Sequence, residues 1–412
     1  MPRTILHSDL NAFYASVETV LDPSLRGKAV AVCGSIESRH GIVLAKSELA
    51  KKAGVKTAMV AWQAKQLCPE LLLVPPHFDQ YAHFSAQVRK IYARYTNLIE
   101  PFGMDECWLD VTGSRIIAGD GLEIAERIRR EVREELGLTV SVGVSFNKAF
   151  AKLGSDLKKP DAVSVISPEN YRRIVWPLPV GDLLYAGPAC VKRLSAYGVQ
   201  TIGDLARMPR HQAETLLGKQ GALLWGFANG LDESRVMPEG YEAPPKSIGH
   251  GSTCAADLLN ADEVWRVELE LAQEVGHRLH AANMAARGVQ LAIRDQVLVT
   301  RQYQAPLVTA SQSPLELARA AHALFTRQYH WALPVRSLTV SAINLVPADQ
   351  PVQLSLFEDS GAHLRQAKLD AALEGIRSRF GSAAIRPATL MGATKTGSHE
   401  MKEMKLPGRM YV

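Results

Sequence analysis

The chain has 412 residues, 47% of them hydrophobic and 22% charged, with a formal net charge of +5. Apolar content is ample for packed cores, which excludes a disordered chain, and the length suits about two to four domains. There is no run of 18 apolar residues and no signal-peptide core, and Cys33, Cys68, Cys107, Cys190 and Cys254 form neither a CxxC nor a metal-ligand spacing. A membrane span, a disulfide scaffold and a zinc module are thereby excluded, and a reducing cytoplasm is expected. The basic balance is compatible with a polyanionic partner.

Residues 4–9 read as a buried strand and 11–20 as a helix. A short helix follows at 47–53, closed by Gly54 as a C′ glycine. Pro75-Pro76 is a hard break. Phe84, Val88, Ile91, Tyr92 and Tyr95 then recur at helical spacing. Two strands, 98–102 and 107–111, flank the turn Gly103-Met104-Asp105-Glu106. Ile124, Ile128, Val132 and Leu136 mark another helix, and 138–145 alternates as a strand. The order β–(insert)–α–β–β–α–β over residues 4–146 predicts a ferredoxin-like sheet covered by helices on one face.

Several short helices are expected over 180–232. A second α+β unit follows, with strands at 246–252, 287–295, 299–304 and 335–344 and helices near 262–283 and 313–328. From about 346 the chain is polar apart from Gln353-Leu354-Ser355-Leu356-Phe357, with a short helix near 363–379 and a loose end.

Asp9 closes the first strand, and Asp105 and Glu106 sit in the turn between two later strands. In the expected sheet these are neighbours, so three carboxylates could converge. Clustered negative charges repel, and hard divalent cations such as Mg²⁺ would relieve them. On spacing alone, Asp9 as a helix cap and Asp105-Glu106 as a polar turn are the readings to be preferred, since acidic turns are common.

The words SDLNAFYASVE, GMDECWLDVTGS and VSVGVSFNKAFAKLGSDLKKP resemble, in order and spacing, the Y-family DNA polymerases, and most nearly the DNA polymerase IV (DinB-like) branch. GIVLAKSELAKKAGVKTAM, LIEPFG, TIGDLARMP and the late QLSLF add to the likeness, which spans about residues 4–357. It implies an α+β multidomain right-hand polymerase. Its parts would be a ferredoxin-like palm (1–10 and 76–166), small fingers (11–75), a helical, helix-hairpin-helix-like thumb (167–235), an α+β little finger (242–346) and a C-terminal tail (347–412). It implies a DNA-directed DNA polymerase that is error-prone, performs translesion synthesis and lacks proofreading. Primer-template DNA, deoxynucleoside triphosphates and a bacterial sliding clamp would be its partners, in a cytoplasmic monomer.

By the same resemblance, Asp9 and Asp105 bind two Mg²⁺ ions, Glu106 is the adjacent catalytic carboxylate, and the Leu10 carbonyl is a backbone ligand. Tyr14 stands where an aromatic steric gate excludes a 2′-hydroxyl. The amides of Ala12 and Phe13 would face the triphosphate from a helix N-terminus, with Ser47, Lys51 and Lys159 nearby. Lys51 replaces a usual arginine and loses its bidentate fork. Glu48 replaces a usual tyrosine and is expected to turn away or pair with Lys51 or Lys52. Gly103 replaces a serine, Asn11 a frequent second aspartate, and Tyr185 a hairpin glycine.

Residues 241–345 carry nine Lys/Arg and nine Asp/Glu, so distribution decides. Lys246, Arg287, Arg294, Arg301 and Arg336 fall on expected strands and are expected to face DNA phosphates. Gln353, Leu354, Leu356 and Phe357 resemble the bacterial clamp-binding motif.

Overall fold

The computed structural model describes residues 3–35, 41–350, 360–381, 384–391 and 395–396. The pentapeptide 353–357 lies outside them. The chain divides into two compact units, Met1–Glu242 and Ala243–Glu400.

The first unit opens with β1 (Ile5–Leu10), α1 (Phe13–Leu21), β2 (Val30–Cys33), β3 (Val43–Lys46), α2 (Glu48–Lys52), α3 (Ala61–Leu67) and β4 (Leu72–Val74). It continues with α4 (Phe78–Tyr92), β5 (Ile99–Pro101), β6 (Glu106–Asp110), α5 (Arg115–Ala118), α6 (Gly121–Leu136), β7 (Val140–Ser145), α7 (Lys148–Leu157) and β8 (Val163–Ile166). The short helices α8 (Tyr171–Val175), α9 (Pro188–Ser195), α10 (Ile202–Arg207), α11 (Arg210–Leu217) and α12 (Lys219–Ala228) complete it.

The main sheet has the order β5-β6-β1-β7-β8, with β1 at its centre. All six residues of β1 are buried, which requires cover on both faces. Leu6 and Leu10 enter a core with Val88, Ile91, Ile124 and Ile128 of α4 and α6. Ile5 and Trp108 enter another with Phe150 and Leu153 of α7. The expectation of helices on one face is therefore corrected. A Cβ on Gly143 would stand 1.9 Å from the Ala151 carbonyl oxygen, so the bare backbone of β7 is what lets α7 lie against the second face. A small sheet, β3-β2-β4, also escaped the sequence reading.

The second unit contains β9 (Ser247–Leu258), α13 (Ala261–Ala281), β10 (Met284–Asp295), β11 (Thr300–Ser311), α14 (Pro314–Gln328), β12 (Val335–Pro347) and α15 (Ser360–Phe380). Its antiparallel sheet has the order β11-β10-β12-β9. Val289, Leu291 and Ile293 pair with Ala342, Val340 and Leu338, and all six side chains pack into the core under α13 and α14. Alternation turns Gln290, Ala292 and Arg294 to the other face.

The helix expected near 363–379 is α15, and both it and the end expected to be loose return to this unit. Glu374 on α15 lies 2.6 Å from His277 of α13, and Arg377 donates to Gln273 at 2.8 Å. Arg386 reaches Glu270, and Leu390 is buried in the core.

Candidate active site

The register of β1 on β6 places Asp9 directly opposite Glu106, so their side chains leave one face of the sheet. The Leu10 amide donates to the Asp105 carbonyl at 2.9 Å, closing the strand end. Gly103 has φ +95°, a left-handed conformation open to glycine and strained for a residue with a Cβ, and a Cβ would stand 3.3 Å from Asp105 Oδ1. Three carboxylates are thus gathered at one end of two adjacent strands.

They do not close into a common ligand set. Among the described residues, no three His, Cys, Asp or Glu side chains are grouped as a metal site. Lys159 Nζ lies 2.9 Å from Asp9 and 2.8 Å from Asp156, and Lys152 binds Glu106. Mutual repulsion explains the arrangement, because each carboxylate is cheaper to bury beside a cation than beside another carboxylate. Burial raises the pKa of Asp9, with Lys159 opposing and Glu106 reinforcing. Burial and Glu106 raise that of Asp105. Burial works against the charge of Glu106 too, but His7 and Lys152 outweigh it and hold the carboxyl well below the usual range.

His7 and Lys152 were not singled out from the sequence. His7 is fully buried on β1, with Nδ1 2.8 Å from Ser155 Oγ and Nε2 3.2 Å from Glu106. Burial lowers its pKa to about 4 and so keeps it neutral. The available signal was the position of His7 two residues before Asp9, on a strand that must be covered on both faces.

Ala12 precedes α1 with φ 47°, a strained left-handed turn for a residue with a Cβ. α1 begins at Phe13 with no side-chain cap, so the first-turn amides are not satisfied by a capping side chain. Phe13 is buried, whereas Tyr14 is partly exposed. The Tyr14 hydroxyl donates to Met104 Sδ at 3.5 Å, and burial and Asp105 raise its pKa. Ser47 caps α2 by accepting from the Ala50 amide, and its Oγ also accepts from the Val30 amide at 3.0 Å. Lys51 lies 3.6 Å from Glu48, and Lys46 donates to Thr57.

In the second unit, Lys246 precedes β9, while Arg287 and Arg294 are exposed on β10. Arg294 belongs to the face turned away from the helices. Arg301 is opposite Ile293, on the helix side by alternation, and it binds the buried Asp295 at 3.1 Å. Arg336 sits in a bulge between Val335 and Ser337 of β12. The neighbours of Arg294 on the outer face include hydroxyls and amides. A Cβ on Gly249 or Gly251 would stand 2.3 Å from the hydroxyl of Ser341 or Thr339, and Gln304 donates to Gln290 at 2.7 Å.

Comparison with known proteins matches residues 8–156 to the impB/mucB/samB family and residues 245–356 to that family's C-terminal domain. The chain is 46% identical over 391 residues to DNA polymerase IV of Acetivibrio thermocellus, covering 95% of this chain and 98% of that protein. It is 37% identical over 397 residues to DNA polymerase IV 1 of Bacillus subtilis, covering 93% and 92%. A solved Y-family DNA polymerase chimera of Dbh and Dpo4 superposes with a TM-score of 0.71 at 25% identity, covering 83% of this chain and 99% of the chimera. A strand end bearing Asp9, Asp105 and Glu106, inside a fold and a sequence shared over almost its whole length with these proteins, makes the chain a member of the impB/mucB/samB family, a Y-family DNA-directed DNA polymerase of the DNA polymerase IV branch.

Proposed function

We propose that the chain is a Mg²⁺-dependent, error-prone translesion polymerase without proofreading, acting as a cytoplasmic monomer tethered by the sliding clamp. The placement of Asp9 opposite Glu106, with Asp105 beside them and Tyr14 close by, carries this reading. The donor set suits a hard cation, since all three side chains offer carboxylate oxygens and Leu10 adds a backbone carbonyl. The stems of Lys152 and Lys159 are long enough to release Glu106 and Asp9 by rotation. When bound, two Mg²⁺ ions would activate the primer 3′-hydroxyl and stabilise the departing pyrophosphate. The chain itself positions the reactants. Amides at the start of α1 and the ammonium of Lys159 face the triphosphate, with Lys51 and Ser47 beyond them, and the Tyr14 ring lies under the sugar.

The domain roles follow. The main sheet is the palm, residues 11–75 the fingers, 167–235 the thumb and the second unit the little finger. The outer sheet face of that unit, with its hydroxyls, amides and Arg294, suits contact with the DNA backbone. Binding there is expected to be sensitive to salt and nearly independent of sequence. Lys246, Arg287 and Arg336 extend the grip at the sheet ends, whereas Arg301, expected there from the sequence, is turned to the helix side and held by Asp295. Gln353, Leu354, Leu356 and Phe357 would bind the clamp.

Primer extension with Mg²⁺ tests the reading. Wild type extends a primer past the template position, and Asp105→Ala loses at least about a thousandfold in rate. Extension by Asp105→Ala at the wild-type rate would displace the site. Absence of extension by wild type would leave a protein that only binds DNA. Leu356→Ala with Phe357→Ala should spare distributive synthesis and abolish stimulation by the clamp.

A further inference from the structure

Asn11 follows β1 directly and is 6% exposed. Its side chain makes two long-range hydrogen bonds. Oδ1 accepts from the Asp161 amide at 2.8 Å, and Nδ2 donates to Ser141 Oγ at 2.9 Å. The amide orientation is forced, because a backbone N–H can only donate. Ser141 is itself fully buried on β7 and is the cross-strand partner of Asp9.

Asp161 has φ 56°. That left-handed conformation is costly for a non-glycine residue and persists only where surrounding contacts enforce it. Here the Asn11 side chain takes its amide, while Arg129, at 3.1 Å, and Arg133 take its carboxylate. Two residues earlier on the same loop is Lys159, held between Asp9 and Asp156. The loop is therefore tied to the strand end of the active site at one point and to α6 at another.

We infer that Asn11 is a positioning residue: by fixing the Asp161 amide it sets where the Lys159 ammonium stands, and so tunes affinity for the triphosphate of the incoming nucleotide. This rests on Lys159 contacting that triphosphate. A carboxylate at position 11 would accept from both partners, since Ser141 can turn its hydroxyl to donate. It would also add a fourth negative charge beside Asp9, Asp105 and Glu106. The amide performs the same tethering without that charge.

The test is a double-mutant cycle in single-nucleotide insertion on primer-template DNA. Asn11→Ala is expected to raise KM for the deoxynucleotide about five- to tenfold, with kcat within about twofold. Asn11→Asp, which keeps both bonds, should restore most of the loss, and Ser141→Ala should raise KM about two- to threefold. On a Lys159→Ala background, Asn11→Ala should add less than about twofold. Nucleotide affinity, measured by fluorescence on a dideoxy-terminated primer, should fall in parallel while primer-template affinity holds. If Lys159→Ala leaves KM unchanged, the triphosphate reading of Lys159 fails. If Lys159→Ala raises KM but Asn11→Ala and Ser141→Ala do not, or if their effects add in full to that of Lys159→Ala, the positioning role is overturned. A loss shared equally by kcat, KM and DNA affinity would reduce Asn11 to a general structural part and overturn it too.

Discussion

Tyr81 lies flat against Tyr14, with ring centroids 4.2 Å apart and planes 11° from parallel. The Tyr81 hydroxyl donates to Glu18, a buried carboxylate that His77 also contacts at 3.0 Å. The Tyr14 ring thus has a fixed wall behind it, and an aromatic held in this way is suited to reject an added hydroxyl by contact. Tyr14→Ala is expected to raise ribonucleotide incorporation relative to deoxynucleotide by at least about tenfold, about 1.4 kcal/mol of lost discrimination. The ratio of kcat/KM for the two sugars measures it, and an unchanged ratio would move the sugar check elsewhere.

Lys148 and Glu100 form an ion pair at 2.6 Å, with side chains 0% and 1% exposed. Glu100 also accepts from the Met237 amide at 3.0 Å, and Lys148 donates to the Arg235 carbonyl. Lys148→Met would strand a buried charge, so a loss of about 3–5 kcal/mol is expected in urea unfolding. Pairing Lys148→Met with Glu100→Leu should recover much of it, since the uncompensated charge is then gone.

Gly143→Ala would drive a methyl group to 1.9 Å from the Ala151 carbonyl and 2.5 Å from the Ser155 amide, both backbone atoms of α7. Because backbone cannot swing aside as a side chain does, α7 must move. The expected cost is about 1–3 kcal/mol or more, read as a lowered Tm. Lys152 rides on α7, so primer extension should fall with it.

Glu268 in α13 is fully buried, and burial pushes its pKa up to about 7 against the pull of His322, 2.8 Å away. His322 is itself raised, chiefly by its hydrogen bond to Glu268. In both cases the folded pKa exceeds the unfolded one. Their stability is therefore fully present below about pH 4.5 for Glu268 and about pH 6.5 for His322, and is lost as pH rises through the folded values. The unfolding free energy should fall between pH 5 and pH 8 by an amount on the order of 1–3 kcal/mol, read as a lowered Tm. Glu268→Gln should flatten that slope, and an unaltered slope would assign it to other groups.

The sequence reading went furthest where a single strand or helix carries the signal. Asp9 is legible as an acid ending an apolar strand, and Asp105-Glu106 as a turn between two strands. The resemblance then supplied roles that periodicity alone could not. What stayed hidden depends on distant segments meeting. Lys152 pairs with Glu106 across 46 positions, and His7 looks like any polar residue in a strand until α7 is laid over it. The small sheet escaped because its strands have three or four residues, too few for alternation to show. At Gly103 the residue type agrees with the conformation, φ +95°, which a residue with a Cβ would hold only under strain. Tyr185, with φ 69°, stands in a left-handed conformation that favours glycine, and bears the strain.

The return of α15 and Leu390 onto α13 changes what shortening the chain would do. Cutting after Phe357 would keep both stretches matched by the family models and still strip the outer flank of the second unit. The Leu390 socket would flood, and His277, Gln273 and Glu270 would lose Glu374, Arg377 and Arg386. A truncated protein would carry an unaltered first unit beside a weakened second one, so that, on the proposed roles of the two, shorter products per binding event rather than slower chemistry would be its signature.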